Sequence, residues 1–194
     1  MYSLFIDTLS SPAYICLFDE EKNIKDIITW EGKHAEFDTL TESIDTLLSH
    51  NTLDYQSLFG IVCIIWPGGF TGIRVTSLVA NTLGYAFWIP LYSVTVSEFF
   101  EKQKSPLPWV LPLTKTEVLL WEHGTKSPQS IVKIDTLGGL DAYTSNQLVP
   151  PLWNHSSYTQ AHNYEYFLKN FSFPEKVPLL HPIYARDPNV LVGK

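Results

Sequence analysis

Between Leu58 and Gly84 the chain reads LFGIVCIIWPGGFTGIRVTSLVANTLG, and this stretch restricts the fold most tightly. Gly60-Ile61-Val62-Cys63-Ile64-Ile65 is an unbroken apolar run rich in β-branched residues. Such a run, lacking polar alternation, predicts a strand covered on both faces. Pro67-Gly68-Gly69 must end it, because proline has no amide for a ladder and glycine tolerates positive φ. Thr71 or Gly72 can cap the segment that follows, and Ile73 to Leu83 carries helical spacing. That spacing places Val75, Leu78, Val79, Thr82 and Leu83 on one face and Arg74, Ser77 and Asn81 on another. Gly84 stands where a helix C-terminus favours glycine. The unit is strand, tight glycine loop, helix.

A glycine loop feeding a helix N-terminus invites an anion, since free amides and the helix dipole both favour negative charge there. The familiar phosphate loops are absent. No Gly-Lys-Ser/Thr follows the glycines, and their spacing is not Gly-x-Gly-x-x-Gly. The loop's chemistry favours a structural or protein-contact role.

The 194 residues suffice for one large domain or two small lobes with cores of their own. Hydrophobic residues at 45% against charged ones at 17% describe a folded chain rather than a disordered one. A formal charge of −7 argues against a primary nucleic-acid surface, which needs clustered Lys and Arg. Met1-Tyr2-Ser3-Leu4 runs straight into a strand-like pattern, so neither a signal peptide nor a membrane span is expected. Cys16 and Cys63, each inside an apolar strand pattern, read as buried free thiols of a reducing, cytoplasmic compartment.

Taken in order, Leu4–Ile6, Ala13–Phe18 and Ile24–Trp30 predict three strands joined by polar turns. Lys33 to Glu36 leads into a helix with Phe37, Leu40, Ile44, Leu47 and Leu48 on one face; His34 falls in the loop or cap before it. After the glycine-loop helix, Tyr85 to Tyr92 predicts a strand interrupted by Pro90, and Val94 to Lys104 a helix with Val96, Phe99 and Phe100 inward. The order β-β-β-α-β-α-β-α describes a first lobe over residues 1–104, with the proline-bearing stretch Lys102 to Pro108 as the boundary. Residues 105–194 then form a shortened second lobe. Its predicted strands are Trp109–Leu113, Glu117–Trp121 and Ile131–Ile134; Leu137 to Asp141 can start a short helix. Tyr164 to Phe171 predicts a helix whose aromatic stripe is core. The fold class is α/β, with a mixed sheet and flanking helices.

Catalytic constellations are missing from the sequence. The six histidines form neither His-x-x-x-His nor His-Glu-x-x-His, and there is no Gly-x-Ser-x-Gly elbow or other nucleophile–base pair for a peptidase. Asp19-Glu20-Glu21 reads as a solvated turn, and Asp7 as a turn-capping carboxylate. No catalytic residue, cofactor or metal ligand is expected.

Trp66-Pro67-Gly68-Gly69-Phe70-Thr71-Gly72-Ile73-Arg74-Val75 resembles the Gly-Pro-Gly-Ser-Phe-Thr-Gly-[Ile/Leu/Val]-Arg-[Ile/Val]-Gly signature of the bacterial TsaB (YeaZ) family. Pro67, Gly68, Phe70, Thr71, Gly72 and Arg74 match it; Trp66, Gly69 and Thr76 depart from it. Asp7-Thr8-Leu9-Ser10 is similar to the Asp-Thr-Ser of that family's first turn. A strand ending at Ile89-Pro90 and the closing Pro182-Ile183-Tyr184-Ala185-Arg186 also resemble the family. The likeness is good over residues 1 to about 100, faint over 101–178, and returns at the last segment.

The resemblance implies an actin-like (ASKHA, RNase H-like) two-lobe fold. It further implies a non-catalytic subunit that pairs with a TsaD-like enzyme in making threonylcarbamoyladenosine at position 37 of tRNA. A TsaE-like ATPase would join through the complex; the acidic charge leaves tRNA to be met only indirectly, through another subunit, and an aromatic-rich helix surface could support a homodimer when the partner is absent. The chain lacks the paired-histidine metal motif of TsaD. Pairing through the first-lobe helices places the interface at Pro67, Gly68, Gly69, Phe70, Thr71, Gly72, Arg74, Ser77 and Asn81. Phe70 would anchor, Gly68 and Gly72 would permit the turn, and Arg74 would hold a carboxylate or carbonyls, either the partner's or those of its own loop. The alternative is an actin-like nucleotide-binding enzyme using Asp7 and the Gly68-Gly69 loop.

Overall fold

The computed structural model describes residues 1–10, 12–31, 36–66, 70–95, 98–99, 109–112, 116–121, 130–133, 136, 142–144, 155–157 and 160–182. β1 (Tyr2–Asp7), β2 (Ala13–Asp19) and β3 (Ile24–Trp30) form an antiparallel meander. α1 (Glu36–His50) leads to β4 (Leu58–Trp66), which joins parallel to β1. α2 (Phe70–Phe87) then leads to β5 (Leu91–Thr95), parallel to β4. The sheet order is β3-β2-β1-β4-β5.

Period-two alternation divides the central strands between two cores. Leu4, Ile6, Ile15, Leu17, Ile61, Cys63 and Ile65 meet Leu40, Ile44, Leu47 and Leu48 of α1 and Val79 and Ala80 of α2. Phe5, Tyr14, Cys16, Phe18, Val62 and Ile64 meet Tyr164, Phe167 and Leu168 of α3 (Gln160–Asn170) and Phe171 just after it. β4 is therefore covered on both faces, as its unbroken apolar run predicts. Phe37 departs from the expected α1 face and is exposed.

A second sheet contains β6 (Trp109–Pro112), β7 (Glu117–Trp121), β8 (Ser130–Lys133), β9 (Ala142–Thr144) and β10 (His155–Ser157), in the order β10-β9-β6-β7-β8. β6, β7 and β8 are antiparallel neighbours, while β6–β9 and β9–β10 are parallel. The topology of the first sheet is thus repeated in strands of three to five residues, against five to nine in the first. The sequence showed only three of these strands, because a three-residue strand carries too few alternations to register. Residues 160–182, assigned by sequence to the second lobe, pack on the first sheet through α3 and the segment after it.

The stretch around Gly84 corrects the sequence reading. α2 does not stop at Gly84, and Tyr85 to Phe87 is helix rather than strand. A Cβ on Gly84 would lie 2.9 Å from Leu91 Cδ2 and displace that side chain of β5, so the glycine serves packing there and not a cap. The helix ends at Trp88, whose φ of 59° is left-handed, with Ile89 N–H donating to Gly84 O at 3.1 Å. This six-to-one bond is a Schellman ending, and Pro90 follows it. Of the helix expected over Val94 to Lys104, Val94 and Thr95 belong to β5 and Glu98 and Phe99 are helical. The Leu137–Asp141 expectation and His34 lie outside the described residues.

Candidate functional site

The turn after β1 and the start of α2 form one packed unit. Asp7 is 1% exposed, and both its oxygens are occupied from within the chain. Leu9 N–H and Ser10 N–H donate to Oδ1 at 2.8 and 3.1 Å; Ser10 Oγ and Tyr164 Oη donate to Oδ2 at 2.7 and 2.5 Å. Burial, and then the Asp7 carboxylate beside it, push the Tyr164 hydroxyl well above its ordinary pKa, so it remains a donor. Four internal donors meet the acceptor capacity of a carboxylate. The turn-cap expectation for Asp7 describes its geometry, with an additional donor supplied by α3 from 157 positions away.

Thr8 fastens this turn to α2. Its Oγ1 donates to Gly72 O at 3.1 Å and shares a 2.5 Å hydrogen bond with Thr76 Oγ1. A Cβ on Gly72 would stand 3.0 Å from Thr8 O, so the approach requires glycine or displacement of backbone. Thr76, where the TsaB signature has glycine, is buried and bonded. Gly72, Thr76, Ala80 and Gly84, at intervals of four, make one narrow side of α2 that turns toward the sheet.

That arrangement turns the large residues outward. Leu78 is 58%, Tyr85 85% and Trp88 89% exposed, with Arg74 and Thr82 exposed on the same side. Leu179, in the segment after α3, is a further exposed apolar residue near this face: its neighbour Leu180 is fixed to Asn81. An exposed apolar stripe along one helix, edged by polar residues, is the kind of surface that a protein partner covers.

The expected interface residues fare differently. Ser77, assigned to an outward face, is 3% exposed and its Oγ has no hydrogen-bond partner. Asn81 is engaged within the chain: Nδ2 donates to Leu180 O at 3.0 Å, and Oδ1 accepts from Leu180 N–H at 2.8 Å. The two have different causes. Close approach to the strands selects small residues for the inner face and takes Ser77 in with it, whereas Asn81 lies on the side of Leu78 and Tyr85 and is covered by the segment after α3. Gly72 belongs to the packed side, while Arg74 is exposed at the N-terminal end of the stripe. Pro67, Gly68 and Gly69 lie outside the described residues, as do the side chains of Trp66, Phe70 and Thr71.

Leu78, Tyr85 and Trp88, which make up this exposed side, are not among the residues that the sequence singles out for an interface. The four-residue spacing of Gly72, Thr76, Ala80 and Gly84 was the available signal, since it fixes which side approaches the sheet.

Cys16 and Cys63 are buried and free. Burial pushes the Cys16 thiol up to about 12, with the Tyr14 hydroxyl opposing, and raises Cys63 as well. These are unreactive core thiols. Among the described residues no three His, Cys, Asp or Glu side chains are grouped to hold a metal ion, and no helix is long and apolar enough to cross a membrane.

The chain is similar to the tRNA threonylcarbamoyladenosine biosynthesis protein TsaB of Bacillus subtilis, with 31% identity over 98 residues, 50% of this chain. The match spans 42% of that relative's length. Among solved structures, YeaZ from Pseudomonas aeruginosa superposes with a TM-score of 0.58 at 14% identity, over 86% of this chain and 90% of the other. A second structure, an uncharacterized protein described by its similarity to peptidase YeaZ from Pseudomonas aeruginosa, gives a TM-score of 0.64 at 16% identity, over 95% and 99%. These structures share the actin-like α/β fold expected from the sequence. No protein-family model matches the chain.

Proposed function

We propose, from the TsaB/YeaZ family assignment that these likenesses support, that the chain acts as a TsaB-like subunit in threonylcarbamoyladenosine modification of tRNA. In this role it performs no chemistry and pairs with a TsaD-like catalytic subunit; a TsaE-like ATPase joins through that pair. The sequence likeness to TsaB carries the reading. The exposed side of α2 is the pairing surface, with Tyr85 and Trp88 as aromatic anchors and Arg74 at its edge. The formal charge of −7 supports an indirect relation to tRNA, held by another subunit. A homodimer through the same side covers it when the partner is absent. The loop Pro67 to Thr71, leading into α2, remains within the proposed interface.

Nothing favours the nucleotide-binding alternative through Asp7 and Gly68-Gly69. It would require the Asp7 carboxylate to exchange four internal donors for a metal or phosphate site.

The test is light scattering after size exclusion of this chain mixed with the TsaD-like protein of the same organism. A one-to-one complex is expected. Tyr85→Asp should weaken it at least about tenfold, because a charge would be desolvated at the centre of an aromatic contact. Arg74→Glu should weaken it less, chiefly through the association rate. If no complex forms at micromolar concentration, the partner-subunit reading is wrong.

A further inference from the structure

The β2–β3 turn contains a residue choice that backbone energetics alone does not explain. Lys22 N–H donates to Asp19 O and Asp19 N–H to Asn23 O, both at 3.0 Å, closing a loop of Glu20, Glu21 and Lys22. Lys22 occupies its last position with φ at 66°, where a three-residue hairpin ordinarily takes glycine. The side chain gives the reason. Lys22 Nζ stands 3.7 Å from the Phe173 ring centroid, 5.3 Å from Phe18 and 5.5 Å from Phe171. Phe173 is itself wedged between Tyr92, at 4.7 Å, and Phe171, at 5.3 Å. Lys169 Nζ of α3 donates to Asn23 Oδ1 of the same turn.

Phe171 and Phe173 begin residues 171–182, a strap with little secondary structure that crosses the first lobe. Beyond them the buried Leu180 and the partly buried Val177 pack into the core beside α2 and β5, and two backbone points hold the segment. Val177 N–H donates to Leu91 O at 2.9 Å on the open edge of β5, and Leu180 is bonded twice to Asn81. Residues 174–176, between the aromatic anchor and these two points, form no hydrogen-bonded element. A segment with sparse backbone pairing belongs to the part of a fold that opens locally.

We propose that Lys22 is the latch of this strap: its cation, seated on Phe173, keeps residues 171–182 on the first sheet, and loss of the charge at the β2–β3 turn releases them. Release uncovers the edge of β5 at Leu91 and frees the Asn81 amide beside the exposed side of α2. The β2–β3 turn is thereby linked to that surface through one continuous segment. The strained φ at Lys22 is a cost kept for the contact.

Amide hydrogen exchange of the full chain, read residue by residue, provides the test. Lys22→Met retains the apolar stem and removes the cation. It should raise exchange at the Val177 and Leu180 amides about 2- to 30-fold, the range obtained by converting a cation–π contribution of about 0.5–2 kcal/mol at about 1.4 kcal/mol per tenfold. The β1 amides of Phe5 and Ile6 should be unchanged, and Lys22→Arg should match the parent. Lys22→Gly should relax the turn but loosen the strap as methionine does. Unchanged Val177 and Leu180 rates in Lys22→Met would overturn the proposal. So would a rise shared equally by the β1 amides, which would make Lys22 a general stabilising residue. An arginine variant as loose as the methionine one would show that shape, not charge, holds the strap.

Discussion

Trp88 and Thr52 occupy the same position in two helix endings. Leu53 N–H donates to Leu48 O at 2.9 Å after α1, as Ile89 N–H donates to Gly84 O after α2, and the left-handed residue between has φ of 55° in Thr52 and 59° in Trp88. A side chain at this position costs about 1 kcal/mol relative to glycine, and more where it is β-branched or bulky. Both side chains are exposed, so little packing offsets the cost. Thr52→Gly and Trp88→Gly should therefore each raise stability by up to about 1 kcal/mol, seen as higher urea midpoints at constant slope. Only Trp88→Gly should also weaken the proposed complex with a TsaD-like subunit. Equal complex affinity in both variants would remove Trp88 from the pairing surface.

At the scale of elements, α2 shows how size rather than hydrophobicity sets rotation about the helix axis. Its narrow side admits the Thr8 carbonyl at Gly72 and the Leu91 side chain at Gly84, and the large apolar residues are left outside. The strand and the helix were legible in the sequence, while the face was not, because both sides of α2 carry apolar residues. α3 is held differently. Tyr164 stacks on Tyr14 at 3.9 Å and donates to Asp7, so an element over 150 positions away completes the first turn. Tyr164→Phe keeps the stack and removes the donor. It should cost about 1.5–3 kcal/mol in urea unfolding, the usual worth of a hydrogen bond to a charged group. A loss below about 0.5 kcal/mol would mean that Asp7 finds a substitute donor.

For the whole molecule, burial of titratable groups on both faces of the first sheet gives an alkaline limit. Cys16 moves from the ordinary 9.0 to about 12 on folding, so the folded state binds its proton more tightly than the unfolded chain does. Stability from this group is full below about pH 9 and is lost as pH rises toward 12. The urea midpoint should be level from pH 7 to 8.5 and fall above pH 9. Cys16→Ala should reduce the steepness by at most about 1.4 kcal/mol per pH unit. An unchanged slope would locate the loss in other groups; Cys63, Tyr14 and Tyr164 are raised in the same direction. The mixed α/β class, the doubly covered β4, the helix that follows it and the TsaB likeness are legible in the sequence, since each is written in contiguous residues within one element or turn. Which side of α2 is exposed, that Ser77 is buried while Asn81 is engaged by Leu180, and that residues 160–182 return to the first sheet emerge only in three dimensions. Those outcomes depend on the space between elements distant in sequence, where the fit of Gly72 to Thr8, Tyr164 to Asp7 and Lys22 to Phe173 selects among arrangements that local pattern leaves equivalent.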